Sequence, residues 1–395
     1  MSFLLGVVVF IVALLVSIML HEAGHFLTAK KFGMKVTQFF VGFGQTVWSR
    51  RRGETEYGIK AIPAGGFVKI TGMTEMDDVD EADEPRSFRR QPGWQRLIVL
   101  GAGSFMHFVL AFVLLFTVAA AIGLQAGGNS AKLGTVVSCV PANVNAQCSP
   151  SDPRSPAWRA GIRAGDTVLA IEGTPVHTWS EMGAAIRRQP AGKPITVAVE
   201  RKGHRLTLHT TLVTVHGHAG SFLGVSPVSV IQRQGPLASA AYAATSFGTI
   251  LKGSASAIAD LPKAIPYLFA PNRGATAGGQ VTSVVGAAND TGQVVASAVG
   301  WQFKVGVILL LIASLNIFVG AFNLLPLLPL DGGHIAIVIY ERAKALVARL
   351  RGRPDPGPVD FRKLVPVSVG VFALLVAFGV LLIMADIVNP VQIQL

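Results

Sequence analysis

The sequence predicts a polytopic α-helical membrane protein with four transmembrane helices and a β-rich α+β domain inserted outside the membrane. Three observations lead there. Of 395 residues, 51% are hydrophobic and only 14% charged, whereas soluble domains carry about a quarter charged residues. Four apolar runs are long enough to cross a hydrocarbon core of about 30 Å. Between the second and third runs, the chain turns strand-like over roughly a hundred residues.

The first run, residues 2–20, contains no charge. A cleaved signal peptide needs a basic start and a small-residue cleavage site. Here the apolar run meets His21-Glu22 directly, so a retained helix is expected. The other runs are Leu97–Leu124, Val305–Leu330 and Leu364–Met384. Four crossings put both termini on one side.

Charge sets that side. The loop from Thr28 to Arg96 holds 12 Lys and Arg, and the loop from Glu341 to Lys363 holds 7. The far longer segment from Gly128 to Gln302 holds 14. Basic residues near span ends mark the cytoplasmic face, which leaves the middle segment extracytoplasmic. The net charge of +12 is thereby assigned to topology and anionic lipid headgroups. No nucleic-acid partner is expected. The expected division is 1–127 (two spans and a cytoplasmic loop), 128–217 (outside domain), 218–302 (amphipathic or linker region along the outer membrane surface) and 303–395 (two spans).

Polar residues at membrane depth carry the chemistry. The first run continues as His21-Glu22-Ala23-Gly24-His25. On a helix, positions i and i+4 share a face, so both imidazoles point the same way. Glu22 stands beside them as a base for an attacking water. A catalytic zinc site normally has three protein ligands. The third must come from another element, and Asp331, in Asn323-Leu-Leu-Pro326-Leu-Leu-Pro329-Leu-Asp331-Gly-Gly, is the acid beside an apolar span. Pro326 and Pro329 break that span. Irregular backbone at such depth survives only when buried in protein or lining a water cavity. Gly332-Gly333 also fits a helix C-cap.

The HEAGH run together with N-x-x-P-x-x-P-L-D-G-G resembles the site-2 protease family of intramembrane zinc metalloproteases. The stretch Glu54 to Gly72, with Gly65-Gly66, resembles that family's membrane-reentrant β-hairpin. The order of elements is similar to the bacterial branch that cleaves anti-sigma factors, over nearly the whole chain. The resemblance implies zinc bound by His21, His25 and Asp331, Glu22 as general base, and Asn323 holding substrate or oxyanion. Gly65, Gly66 and His107 are the implied substrate contacts. The family's second span carries G-P-x-x-N where this chain has Gly103-Ser-Phe-Met-His107. His107 reads either as a replacement for that asparagine or as a hydrogen-bonded histidine of the helix bundle.

In the outside segment, Leu133–Val140, Pro194–Glu200 and Arg205–Leu212 are strand-like. Ser155 to Gly173 resembles the A-x-x-A-G-I-x-x-G-D signature of a bacterial PDZ domain, with Trp179–Arg188 as its groove helix. Such grooves bind extended peptides or C-termini. Cys139 and Cys148 lie nine residues apart in this segment, and a disulfide or two free thiols both fit. The expected partners are transmembrane protein substrates, such as anti-sigma factors trimmed first by another protease, and membrane lipids. The expected location is a bacterial inner membrane, with the active site toward the cytoplasm. The competing reading is a non-catalytic PDZ-bearing scaffold that keeps zinc for stability. Structural zinc needs no base, so the Glu22 carboxylate separates the two.

Overall fold

The computed structural model describes residues 2–73, 77–141, 148–149, 151–216, 220–270, 273, 282–354 and 356–390. The chain forms two compact units, Met1–Ile122 with Gln234–Leu395, and Gly123–Arg233.

In the first unit, α1 (Ser2–Lys31) carries the whole His21–His25 motif inside one helix. Lys30 and Lys31 sit at its negative end. Gly33 (φ +76°) reverses the chain, and the N–H of Met34 reaches back to the Ala29 carbonyl. That left-handed turn favours glycine. It lays fully buried Met34 on fully buried Ala29. Among the described residues, four helices are long and apolar enough to cross a membrane. They are α1; α2 (Gly93–Thr117) with its π-helical extension to Ile122; α7 (Trp301–Asn323); and α9 (Val365–Val388). Their outward apolar side chains face no protein, with Leu374 68% exposed.

Two features differ from the sequence expectation. The third span ends at Asn323, not Leu330, because the two prolines break it. Asp331 opens a separate helix, α8 (Asp331–Leu350). Gly332 and Gly333 therefore form the first turn of α8 rather than a C-cap. A Cβ on Gly332 would sit 2.2 Å from the Leu325 carbonyl oxygen, so the glycine pair lets α8 nest against the break. Residues 218–302, expected as an amphipathic or linker region, are largely helical. They include α5 (Pro236–Ala264), packed on α2 and α7, and α6 (Val284–Ala296), packed on α1 and α9. Apolar faces on both helices, with fully buried Ala243 and Val294, drive that packing.

The β-rich stretch is larger than Glu54 to Gly72. Strand β1 (Val36–Arg52) and β2 (Thr55–Ile70) each bend, so two strands make four segments. Gln38–Val41 aligns with Gly66–Lys69 on one side and Glu56–Ile59 on the other, while Thr46–Arg52 pairs with Thr55–Lys60. Gly42 (φ +85°) makes the bend, and a Cβ there would strike the Ile62 carbonyl oxygen at 2.6 Å. Glu54, between the strands, is held by Arg86 and Lys30. Those two cations lower its carboxyl to about 2.

The second unit is built on a sheet of order β6-β5-β7-β8. Its strands are β5 (Thr167–Ile171), β6 (Thr174–Pro175), β7 (Pro194–Arg201) and β8 (His204–Thr211). Alternate residues Ile195, Val197 and Val199 turn inward against Met182 and Ile186 of α4 (Trp179–Arg188). Ser155 caps the short helix α3 (Pro156–Arg159), and a reciprocal cap between Thr178 and Glu181 starts α4. Burial opposes ionisation of Asp166, but two bonds from the Arg201 guanidinium and the Arg163 N–H hold its carboxyl below the usual range. Cys139 and Cys148 form a disulfide.

This unit is wider than 128–217. Strand β3 (Leu124–Gly127) pairs with β10 (Ser229–Gln232), and β4 (Leu133–Val136) with β9 (Val225–Pro227). The flanking segments thus close on each other at the base of the unit. Between α4 and residues 221–225 runs a groove of about 190 Å³, lined by Trp179, Ile186 and Phe222.

Candidate metal and active site

Three elements far apart in sequence meet at one point. α1 supplies His21 and His25, one turn apart and both buried. The first turn of α8 supplies Asp331. His21 Nε2 lies 3.3 Å and His25 Nε2 3.4 Å from Asp331 Oδ2, and the two nitrogens are 3.1 Å apart. Among the described residues this is the group of His, Cys, Asp and Glu side chains able to hold a metal ion.

The residues fit zinc. Tetrahedral bonds of about 2.0–2.1 Å place neighbouring ligand atoms about 3.3 Å apart, which matches all three separations. His25 Nδ1 lies 2.7 Å from the Val99 carbonyl oxygen. An N–H donated there leaves the Nε2 lone pair for a metal, the usual arrangement of a ligating histidine. Asp331 Oδ2 is buried and has no hydrogen-bond donor among the described residues. A buried acceptor left in that state is costly. A cation among the three atoms resolves it.

Space for the imidazoles comes from α2. A Cβ on Gly103 would lie 2.4 Å from His25 Nε2 and 2.5 Å from His21 Cε1. Only a glycine admits both rings. One turn on, the His107 ring lies 5.0 Å from the His21 ring, centre to centre. His107 stands beside the ligand group rather than in it. Its Nδ1 is 2.7 Å from Asn316 Oδ1, and the Asn316 amide donates to Ser17 Oγ and to the Ile312 carbonyl. Side chains from α2, α7 and α1 are thus linked by one buried polar chain. The sequence showed Asn316 as a polar residue within an apolar span, which was the available signal, but gave Ser17 and Gly103 no role.

Glu22 follows His21 on α1 and faces the end of β2. A Cβ on Gly66 would come 3.4 Å from Glu22 Cγ and 2.9 Å from Met19 Sδ. Gly65 (φ +152°) holds a conformation L side chains rarely adopt, against the Phe43 ring. Asn323 is the last residue of α7, eight positions before Asp331, and makes no side-chain hydrogen bond among the described residues. Gly66→Val should therefore crowd Glu22 directly. Cleavage is expected to fall about 100-fold, as for displacement of a reacting group by about 1 Å, with zinc content unchanged. Metal analysis beside a cleavage assay checks this, and an active variant would remove β2 from the site.

Residues 9–352 match the model of peptidase family M50. This chain belongs to that family. It is 36% identical over 414 aligned residues to "Zinc metalloprotease Rip1" of Mycobacterium tuberculosis, covering 100% of each chain. It is 35% identical over 413 residues to the protein of the same name in Mycolicibacterium smegmatis, again over 100% of each. A solved PDZ domain of an SdrC-like protein from Listeria monocytogenes is similar over 24% of this chain and 87% of its own, at 17% identity and a TM-score of 0.18. That likeness is too slight to argue from. This M50 peptidase is a zinc metalloprotease with four candidate membrane spans.

Proposed function

We propose that this M50 peptidase is an intramembrane endopeptidase that hydrolyses peptide bonds within the spans of single-span membrane proteins, anti-sigma-factor-like substrates among them. One observation carries the reading. Three ligand atoms at tetrahedral spacing, with a carboxylate next to them, sit among helices long and apolar enough to cross a membrane.

His21, His25 and Asp331 hold the zinc. Bound there, the ion supplies Lewis acidity, polarising a carbonyl and making water more acidic. Glu22 takes a proton from the attacking water as its oxygen bonds to the scissile carbonyl carbon. It returns that proton to the amide nitrogen as the C–N bond breaks. The Asn323 amide donates to the carbonyl oxygen as charge builds on it. Helical substrates hide their carbonyls in backbone hydrogen bonds, so they must unwind first. Among the described residues, the Gly66–Lys69 edge of β2 is paired on one side only. It supports binding of the unwound segment as an added strand, within reach of Glu22. His107, tied down by Asn316 with its ring 5.0 Å from that of His21, is the proposed substrate contact from α2.

The second unit is proposed as a PDZ domain. Its groove between α4 and residues 221–225 suits an extended peptide or C-terminus exposed by a first-cutting protease. A non-catalytic scaffold is disfavoured by the Glu22 carboxylate, which a structural zinc site does not need.

The test is purified enzyme in bilayers with a transmembrane peptide, the cut bond located by mass spectrometry. A cut inside the apolar span, abolished by chelator, is expected. Cleavage confined to segments outside the span would sink the intramembrane reading. The proposed orientation places the second unit outside the inner membrane. A cysteine introduced at Ser151 should react with an impermeant maleimide in intact cells, and one at Arg353 only after lysis. Labelling at Arg353 in intact cells would invert the topology.

A further inference from the structure

The geometry points to a binding site for a phosphate ester, the headgroup of an anionic phospholipid, in a cavity of about 580 Å³ between the start of α2 and the middle of α8. Four arginines line it (Arg89, Arg90, Arg96 and Arg342) against two carboxylates, Glu84 and Glu341. Among the described residues, four positive and two negative side chains line the cavity. Glu84 is shared between Arg89 and Arg90. Glu341 accepts from Arg96 and from the Val359 N–H. Arg342 has no carboxylate partner among the described residues.

The position of Arg342 sharpens the argument. Its guanidinium lies over Gly93, the first residue of α2, where an added Cβ would come within 2.2 Å of Nε. The first turn of α2 holds no acidic residue and no side-chain cap. A cation therefore rests on the positive end of a 25-residue helix. That arrangement is unfavourable unless an anion joins it. A phosphate meets the demands of Arg342 and of the helix end, since helix N–H groups and guanidinium forks are its usual partners.

The volume suits a headgroup-sized ligand, because small-molecule sites span about 300–1,000 Å³. Phosphate esters reach proteins either as lipid headgroups or as free solutes. The lipid is chosen because the cavity opens where a candidate membrane helix begins. Trp94, 57% exposed in the first turn of α2, is the residue type found at membrane interfaces. This choice of source rests on the orientation proposed above; the charge argument does not. The site lies apart from the zinc ligands, so binding and catalysis can be read separately.

Native mass spectrometry of the full chain in mild detergent tests it, with phosphatidylglycerol, phosphatidylcholine and glycerol 1-phosphate as probes. One phosphatidylglycerol should be retained about tenfold more tightly than phosphatidylcholine. Arg342→Ala and Arg90→Ala should each cut that retention about tenfold, the loss typical of one charge-assisted hydrogen bond. Arg349→Ala, on the same helix but outside the cavity, should not. Zinc content and thermal stability of the variants serve as folding controls. Equal retention of the two lipids, or retention unchanged in the Arg90→Ala, Arg342→Ala double variant, would overturn the site. Saturation by glycerol 1-phosphate at concentrations where phosphatidylglycerol shows no advantage would overturn the lipid as its source.

Discussion

Glu22→Gln is expected to keep about one zinc per chain, as a three-ligand site does, while losing peptide cleavage by about 10²–10⁴-fold, the contribution of a positioned general base. The two readouts separate because Glu22 is not among the atoms that converge on the metal position. The three separations that match tetrahedral spacing belong to His21, His25 and Asp331 alone. Gln keeps nearly the shape of Glu, so its fit against Gly66 survives and the fold should be unaffected. What it lacks is a basic oxygen lone pair. Metal content by mass spectrometry and turnover of a transmembrane peptide are measured on the same preparation. An active Glu22→Gln protein would withdraw the base assignment and return the chain to the scaffold reading.

Much of the site was legible because its chemistry is written locally. His21, Glu22 and His25 share one turn of one helix, and helical periodicity alone puts the imidazoles together. Asp331 was legible for a different reason, as a carboxylate beside an apolar run. The manner of its delivery was not. The sequence places Asp331 at the end of a broken span, whereas it starts a new helix that nests on the break through Gly332 and Gly333. That depends on a close approach between segments, which no local pattern reports. Gly103 is a similar case. Its place in α2 looks like ordinary helix packing until α1 lays two imidazoles against it. The folded-back β1 and β2 escaped for the same reason, since their bends follow from Gly42 meeting Ile62. Helices α5 and α6 lie in the region read as amphipathic or linker, and their Ala- and Gly-rich faces gave no sign of which helices they pack on. Small residues at helix contacts signal close packing rather than exposure.

Asp331→Ala should fail in a way that Glu22→Gln does not. Removing the carboxylate leaves two protein ligands, fewer than a catalytic zinc site uses, so metal and activity should be lost together. The loss should exceed that of one ordinary ligand contact. His21 Nε2 and His25 Nε2 face each other at 3.1 Å with Asp331 Oδ2 as their common neighbour. Without the carboxylate, two neutral imidazoles must hold a dication with no anionic ligand beside them. Zinc content should fall from about one per chain toward none during dialysis that leaves Glu22→Gln loaded. The fold should persist, because Asp331 caps no helix and its backbone is held by the Gly332–Leu325 packing. A competition titration against a chromogenic chelator measures the affinity of wild type, Asp331→Ala and Asp331→Asn. Asn should rescue little, since it restores shape and an oxygen but no charge. An Asp331→Ala protein with unchanged zinc affinity would refute the assignment. The third ligand would then lie elsewhere, and His107, its ring 5.0 Å from that of His21, would be the residue to test.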